Sequence, residues 1–292
     1  MDLRIAPAGV DLHVSTAGPE DGPPLVLLHG WPEDHRCWDS VAPRLAGRYR
    51  LLLPDQRGFG RSGMPEETAA YSMKSLLGDL LGILDHFGIE RAGIVGHDVG
   101  GALAWSAGAF APHRFTRAVI LSAPHMQRLR QAGIEDPAQV KRAFYAWLLH
   151  AGEPGEALLA ADGFRWLTDW AFAGSTVPAC LMEEYRVLWS EPGRFHAMGG
   201  WYRANYRPDL FNPERAFRLP PVRFPVRYLQ GEDDVAFVPG AARGSGEHVA
   251  AEYDEQILPG FGHWLPHDAP DLVAAAVDDW MRRDPGSEGA GP

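Results

Sequence analysis

The sequence predicts an α/β fold in which a mostly parallel sheet is flanked by helices and interrupted by an inserted helical cap. Short apolar segments alternate with segments of helical periodicity in the first and last parts of the chain, which is typical of a buried parallel sheet. Between them lies a long stretch without strand character that is rich in tryptophan and tyrosine. The chain has 292 residues, 46% of them hydrophobic, and can therefore bury a large core.

The first part of this core is predicted over residues 1–124. Its strands are short apolar segments, predicted at 10–16, 24–29, 49–54, 92–96 and 118–122. The first of them, 10–16, is predicted to belong to a hairpin. Helices are predicted at 71–87, where apolar residues recur at helical spacing, and at 101–110.

The cap is predicted over 125–212, and the second part of the core over 213–283. This second part contains predicted strands at 226–230 and 256–258, and a closing helix at 272–282. Residues 284–292 are mostly Gly, Ser and Pro, and we expect this tail to be disordered.

Composition excludes several classes of function. The net charge is −11 and no basic run is present, which argues against nucleic acid and anionic membranes as partners. Cys37 and Cys180 are the only cysteines, too few for a disulfide framework, and no signal or membrane-spanning segment is evident, so we expect a cytoplasmic protein. No metal-ligand spacing occurs, and we expect neither a metal nor a cofactor. Whether the chain forms a homodimer is left open.

The most informative motif is Gly-His-Asp-Val-Gly-Gly at 96–101, between a predicted strand and a predicted helix. This is the context of the nucleophile elbow of the α/β-hydrolase fold, but the central residue is Asp98 instead of Ser or Cys. A carboxylate that attacked an acyl carbon would form a reactive anhydride, whereas attack on an sp3 carbon forms an alkyl ester that water can cleave. Asp98 therefore predicts displacement at an epoxide carbon or at a carbon–halogen bond. The alternative is an Asp in a surface turn.

An ester on Asp98 needs a base, and the base needs a carboxylate to orient it. In this fold the nucleophile, the acid and the histidine follow one another in that order along the chain. Loops follow the predicted strands at 226–230 and 256–258, at the strand ends where ligands of parallel sheets bind. His263 is the predicted base, because an imidazole titrates near neutral pH. Asp234 is the predicted orienting acid, with Glu232 and Asp233 as alternatives.

Charge also develops when the ester is hydrolysed, and two backbone N–H groups are predicted to form the oxyanion hole. One belongs to Trp31, which follows His29-Gly30, and the other belongs to Val99, which follows the nucleophile Asp98. We expect His29 and His97 to be structural, and His267 to lie on the surface of a loop.

Taken together, these motifs resemble those of epoxide hydrolases of the α/β-hydrolase fold, including the hydrolase domain of the mammalian soluble enzyme. The resemblance covers nearly the whole chain. The matching segments are His29-Gly-Trp-Pro-Glu, Asp55-Gln-Arg-Gly-Phe-Gly-Arg-Ser, the Asp98 elbow, Gly231-Glu-Asp-Asp and Gly262-His-Trp. The first two are shared across the superfamily, while the Asp elbow narrows the resemblance to epoxide hydrolases and haloalkane dehalogenases.

The cap segment Trp201-Tyr-Arg is similar to a motif of the epoxide hydrolases. The resemblance implies that two cap tyrosines polarise the ring oxygen, because an alkoxide is a poor leaving group without a proton donor. Tyr202 matches one of them, and we assign Tyr145 as the other. Val99 lacks the side-chain donor that haloalkane dehalogenases commonly place after the nucleophile, which favours epoxides.

The predicted function is therefore hydrolysis of an apolar epoxide to a vicinal diol through an Asp98 alkyl ester. The aromatic cap makes an aryl-bearing epoxide one option, and four tryptophans are predicted to line the substrate pocket: Trp31, Trp147, Trp189 and Trp264. A haloalkane dehalogenase with the same triad and a ligand-binding homologue with little turnover are the alternatives.

Overall fold

A sheet of eight strands forms the centre of the computed structural model, which describes residues 1–7 and 9–283. The strands are β1 (Asp2–Ile5), β2 (Leu12–Ala17), β3 (Pro24–Leu28), β4 (Arg50–Pro54), β5 (Ala92–His97), β6 (Phe115–Leu121), β7 (Val226–Gly231) and β8 (Tyr253–Leu258). Their order in the sheet is β1-β2-β4-β3-β5-β6-β7-β8. The strands from β3 to β8 are parallel, while β2 is antiparallel to both β1 and β4. The predicted α/β class with a mostly parallel sheet is confirmed.

The central strands are apolar on both faces because helices cover both sides of the sheet. In β3, Leu25 and Leu27 point into one hydrophobic cluster, and Val26 and Leu28 point into the other. This alternation follows from the two-residue period of a strand. Because neither face of these strands is exposed to water, continuous apolar segments of the sequence predict buried strands.

The helices surround the sheet and form the cap. They are α1 (Ala42–Leu45), α2 (Met73–His86), α3 (Val99–Phe110), α4 (Met126–Glu135), α5 (Pro137–Arg142), α6 (Phe144–His150), α7 (Glu153–Ala171), α8 (Ala179–Trp189), α9 (Arg194–Asn205), α10 (Pro239–Ala242), α11 (Leu265–Asp268) and α12 (Pro270–Met281). Helix α7 is broken by non-helical backbone at 161–164. Buried residues of α1 and α12 pack on one face of the sheet, and those of α2 and α3 on the other.

Two differences from the sequence predictions have local causes. Strand β1 had no predicted position because it is a short strand at the edge of the sheet, in which Asp2 and Arg4 alternate with Leu3 and Ile5 over only four residues. Helix α3 begins at Val99, two residues earlier than predicted, since the N–H of Ala102 already donates to the carbonyl of Asp98 at 2.9 Å.

Four parallel strands bring their carboxyl ends to one edge of the sheet. The loops that follow β3, β5, β7 and β8 carry Trp31, Asp98, Asp234 and His263, respectively. Helices α4 to α9 lie between β6 and β7, inside the range that the sequence analysis gives to the cap. Ligands of open parallel sheets bind at such an edge. The predicted disordered tail at 284–292 lies outside the described residues.

Among the described helices, none has both the length and the apolar character that a membrane crossing requires.

Candidate active site

Asp98 stands in a sharp turn between β5 and α3. Its φ of 50° and ψ of −118° are unusual for a residue with a side chain. Gly100 permits this turn to sit close to β3, because a Cβ at that position would come within 2.5 Å of the carbonyl oxygen of Leu28. The side chain of Asp98 is buried, so a carboxylate is held away from bulk water at the sheet edge.

His263 lies between two carboxylates. Its Nδ1 is 3.0 Å from each oxygen of Asp234, and its Nε2 is 3.8 Å from Oδ2 of Asp98. Oδ1 of Asp234 in turn accepts the N–H groups of Ala236 at 2.7 Å and Phe237 at 3.0 Å. These bonds fix the imidazole with Nε2 facing Asp98, as the orienting acid of a catalytic triad does.

The charges of this site control one another. Burial raises the pKa of Asp98, while His263 and the N–H groups of Trp31 and Val99 oppose the rise. Burial alone would lower the pKa of His263, but the charge and hydrogen bond of Asp234 and the charge of Asp98 raise it to about 9. An imidazolium therefore faces Asp98 at neutral pH. Loss of the Asp98 charge would remove one of its stabilising partners and lower the pKa of His263.

Two backbone N–H groups favour the charged form of the Asp98 carboxylate. The N–H of Trp31 donates to Oδ1 at 3.0 Å, and the nearby N–H of Val99 also lowers the pKa of the group. Donors already fixed at this position can stabilise an oxyanion that forms on the Asp98 side chain without further reorganisation.

Tyr145 on α6 and Tyr202 on α9 close the site from above the sheet edge. Their rings lie 5.7 Å apart, and the indole of Trp31 stacks on Tyr145 at 5.4 Å and meets the edge of Tyr202 at 5.6 Å, centroid to centroid. Both tyrosines line a small cavity together with Asp98. Burial raises the pKa of each phenol well above its usual value. Both are therefore protonated donors at neutral pH, enclosed with the carboxylate.

Comparison with known proteins identifies the family. A sequence model of the α/β hydrolase fold family matches residues 23–270. This chain belongs to that family.

Relatives within the family cover nearly the whole chain. Epoxide hydrolase A of Mycobacterium tuberculosis is 30% identical over 306 residues, covering 94% of this chain and 94% of the relative. The AB hydrolase superfamily protein YfhM of Bacillus subtilis is 30% identical, covering 94% of this chain and 95% of the relative. Among solved structures, an epoxide hydrolase from metagenomes of hot environments is 29% identical, with a TM-score of 0.86 over 97% of this chain and 99% of the other. The predicted membership of the epoxide hydrolase group is confirmed.

In this α/β hydrolase, one histidine expectation is wrong. His267 is buried instead of lying on the surface, because its Nε2 is 2.6 Å from Oε1 of Glu33, which is also buried. The other oxygen of Glu33 is 3.7 Å from Nδ1 of His97, and Nε2 of His97 donates to the carbonyl of His263 at 2.9 Å. His97 thus braces the loop of the candidate base.

His29 has contacts that support the backbone. Its Nε2 accepts the N–H of Gln56 at 3.0 Å, and its Nδ1 is 2.9 Å from the carbonyl oxygen of Gly30. Both ring nitrogens are occupied by main-chain groups, which is the structural role expected for His29.

The structure revises the predicted pocket lining. None of the four predicted tryptophans is among the residues that line the cavity beside Asp98, although Trp31 lies against both tyrosines. The indole of Trp147 packs on Tyr206 and Phe211. Those of Trp189 and Trp264 donate to the carbonyl oxygens of Pro32 and Ala171, respectively. A tryptophan count could not distinguish these packing roles from contact with a substrate.

Sequence reasoning missed most of the residues that line the cavity, among them Gln139, Tyr206 and Phe237. Tyr206 follows Tyr202 by four residues, and this helical spacing could have placed both on one face. Gln139 and Phe237 carried no comparable signal, because their position depends on how the cap meets the core.

A second polar cluster lies outside the site. Asp55 accepts from Nδ1 of His35 at 2.7 Å and lies 2.9 Å from Nδ1 of His13, and Asp2 and Asp34 lie close by. Metal-ligand residue types meet here, but the Asp55 oxygens are engaged by histidines and by the N–H groups of His35 and Arg61. Polar contacts of the buried Asp55 therefore join β2 to the loops after β3 and β4.

Proposed function

We propose that this α/β hydrolase is an epoxide hydrolase that forms a vicinal diol through an alkyl ester on Asp98. The observation that carries the proposal is the enclosure of one carboxylate nucleophile with two phenol donors and a buried base. Epoxide hydrolase A of Mycobacterium tuberculosis, at 30% identity along the chain, supports the same reaction class.

Ring opening is the first step. An oxygen of Asp98 bonds to one epoxide carbon, and the bond between that carbon and the ring oxygen breaks. The ring oxygen leaves with the electron pair and takes a proton from Tyr145 or Tyr202. Because both phenols have a raised pKa, they reach the reaction protonated and stabilise the developing alkoxide by hydrogen bonds.

Ester hydrolysis is the second step. Esterification removes the negative charge of Asp98, which lowers the pKa of His263 and releases its proton to restore the phenol. The neutral imidazole, oriented by Asp234, takes a proton from water, and the oxygen of that water attacks the ester carbonyl carbon. The N–H groups of Trp31 and Val99 hold the oxyanion. As the oxyanion collapses, the bond between the carbonyl carbon and the product oxygen breaks, the product alkoxide takes a proton, and the Asp98 carboxylate is restored. The two protons of the water end on the product hydroxyl and on His263.

The lining of the site supports an apolar substrate. Most of the side chains around the cavity beside Asp98 are apolar. Ala102 and Met126 also border a second, larger cavity of about 530 Å³ between α2, α3 and residues 204–219. An aryl or alkyl group on the epoxide could therefore extend from Asp98 past these two side chains.

The test combines a product panel with a labelling experiment. Aryl and alkyl epoxides should yield diols, and chloroalkanes of similar size should release no halide. In a single turnover in heavy-oxygen water, the first diol should carry oxygen from Asp98 and no solvent label. Halide release without diol formation would instead support a dehalogenase, and tight binding without any product would support a ligand-binding homologue. Solvent label in the first diol would exclude the ester.

A further inference from the structure

The loop that carries Asp234 is held by a helix of the cap. Gln139 on α5 is fully buried, and its Nε2 donates to the carbonyl of Ala236 at 2.9 Å while its Oε1 accepts the N–H of Val238 at 3.0 Å. A buried amide with both ends engaged fixes the backbone on either side of Phe237.

Arg142, one turn further along α5, binds the same loop. Its guanidinium donates to the carbonyl of Asp234 and, at 2.8 Å, to that of Phe237. Residues three positions apart on a helix share one face, so Gln139 and Arg142 form a single contact surface. Four main-chain groups of residues 234–238 are thus bound by one short cap helix.

The same loop holds the Asp234 carboxylate. Its Oδ1 accepts the N–H groups of Ala236 and Phe237 at 2.7 and 3.0 Å, and both oxygens face Nδ1 of His263 at 3.0 Å. A shift of the backbone at 236–237 therefore moves the carboxylate relative to the imidazole. The bonds from Gln139 and Arg142 restrain that backbone.

We infer that Gln139 and Arg142 are positioning residues that hold Asp234 against His263. Through them, the rate of ester hydrolysis depends on the position of the cap. The inference rests on the proposed function. Ring opening requires the Asp98 carboxylate and the phenols but no base, whereas hydrolysis requires the oriented imidazole. Loosening the acid loop therefore slows the second step and spares the first.

Gln139→Met and Arg142→Met test this inference. Met approximates the size of each apolar stem and removes the hydrogen bonds to the loop. A matched control is Arg194→Met, because the guanidinium of Arg194, a buried cap residue, binds the carbonyls of Gly58 and Ser62 at 3.3 and 2.8 Å in a core loop without a triad residue. Rapid quenching with intact-protein mass spectrometry measures ester formation and ester hydrolysis separately, with melting temperatures recorded in parallel.

In both test variants the ester should hydrolyse about 10- to 100-fold more slowly, the scale expected for a catalytic group displaced by about 1 Å. In Arg142→Met, whose side chain does not line the cavity beside Asp98, the rate of ester formation should change little, so alkylated enzyme should accumulate. Arg142→Lys, which keeps a donor for one carbonyl, should recover part of the hydrolysis rate. In Arg194→Met the ratio of the rates of ester formation and ester hydrolysis should equal that of the wild type, even if the melting temperature falls.

A purely structural role would lower the melting temperature and leave the ratio of the two rates unchanged, which would overturn the inference. If Gln139→Met does not fold, Arg142→Met decides by the same ratio, because Arg142 is only half buried. The proposed function fails separately: His263→Gln should trap the ester, and its absence there would overturn the ester mechanism together with this inference.

Discussion

The core and the cap both supply groups to one site, but the sequence encodes their positions differently. The core groups follow strands directly, so the register of a parallel sheet places Asp98, Asp234 and His263 at one edge. The cap groups lie on helices whose rotation depends on packing between distant segments. Local motifs therefore define the chemistry of the core, whereas three-dimensional packing defines which cap side chains meet it.

The first prediction addresses the core and has the largest expected effect. His263→Gln should open one equivalent of epoxide and then stall, because ring opening needs no base and hydrolysis does. Steady-state turnover should fall by more than about 10⁴-fold, the scale seen when a triad base is removed. Intact-protein mass should show a stable adduct. Turnover that persists, or bound substrate without an adduct, would contradict the division between the two steps.

The second prediction addresses the cap. Tyr202→Phe and Tyr145→Phe should each raise the activation free energy of ring opening by roughly 2–4 kcal/mol, the scale of one oxyanion donor. The double variant should nearly abolish ring opening. Ester hydrolysis should be unaffected, so the adduct should form slowly and never accumulate. Quenched-flow measurement of adduct formation gives the result. Equal effects on both steps would contradict the assignment of the cap tyrosines to ring opening and of the core base to ester hydrolysis.

The elements of the core could be predicted from sequence because their signals are local. The strand at 92–96, its elbow and the following helix lie within twenty residues, and Asp98 is set by the turn itself. The edge strand β1 could not be placed, since its alternation of polar and apolar residues extends over only four positions.

The rest of the site depends on contacts between distant segments. His267 read as a surface residue because its partner, Glu33, lies 234 positions away in the sequence. The aromatic residues of the cap gave no indication of which rings face Asp98, because a buried indole serves a second hydrophobic core equally well. Gln139 is the clearest case, since its role exists only where α5 meets the acid loop.

The third prediction measures the electrostatic link within the core. His263 should titrate near pH 9 in the free enzyme, followed by NMR of its imidazole. Asp98→Asn removes a negative charge that stabilises the imidazolium, so the pKa of His263 should fall, as it should in the alkylated enzyme. Because the folded-state pKa lies above the usual 6.5, this group's contribution to stability is complete below pH 6.5 and is lost as the pH rises through about 9.

The matched control for this titration is Tyr202→Phe, which keeps every charge and should leave the pKa of His263 nearly unchanged. An unchanged pKa in Asp98→Asn would show that Asp98 does not set the protonation of the base, which would then depend on Asp234 and Glu33. Hydrolysis would then gain nothing from esterification of Asp98.

The fourth prediction has the smallest expected effect and separates packing from substrate contact in the cap. Trp147 is half buried against Tyr206 and Phe211 and does not line the cavity beside Asp98. Trp147→Phe should therefore lower the free energy of unfolding by about 1 kcal/mol through lost packing. The kcat/KM for aryl epoxides should stay within about twofold, since no contact with a reacting group is removed. Thermal unfolding and steady-state kinetics on the same preparation give both values. A large rise in KM with an unchanged melting temperature would instead indicate that Trp147 contacts the substrate. It would also support the expectation that aromatic composition alone identifies the binding residues of a cap.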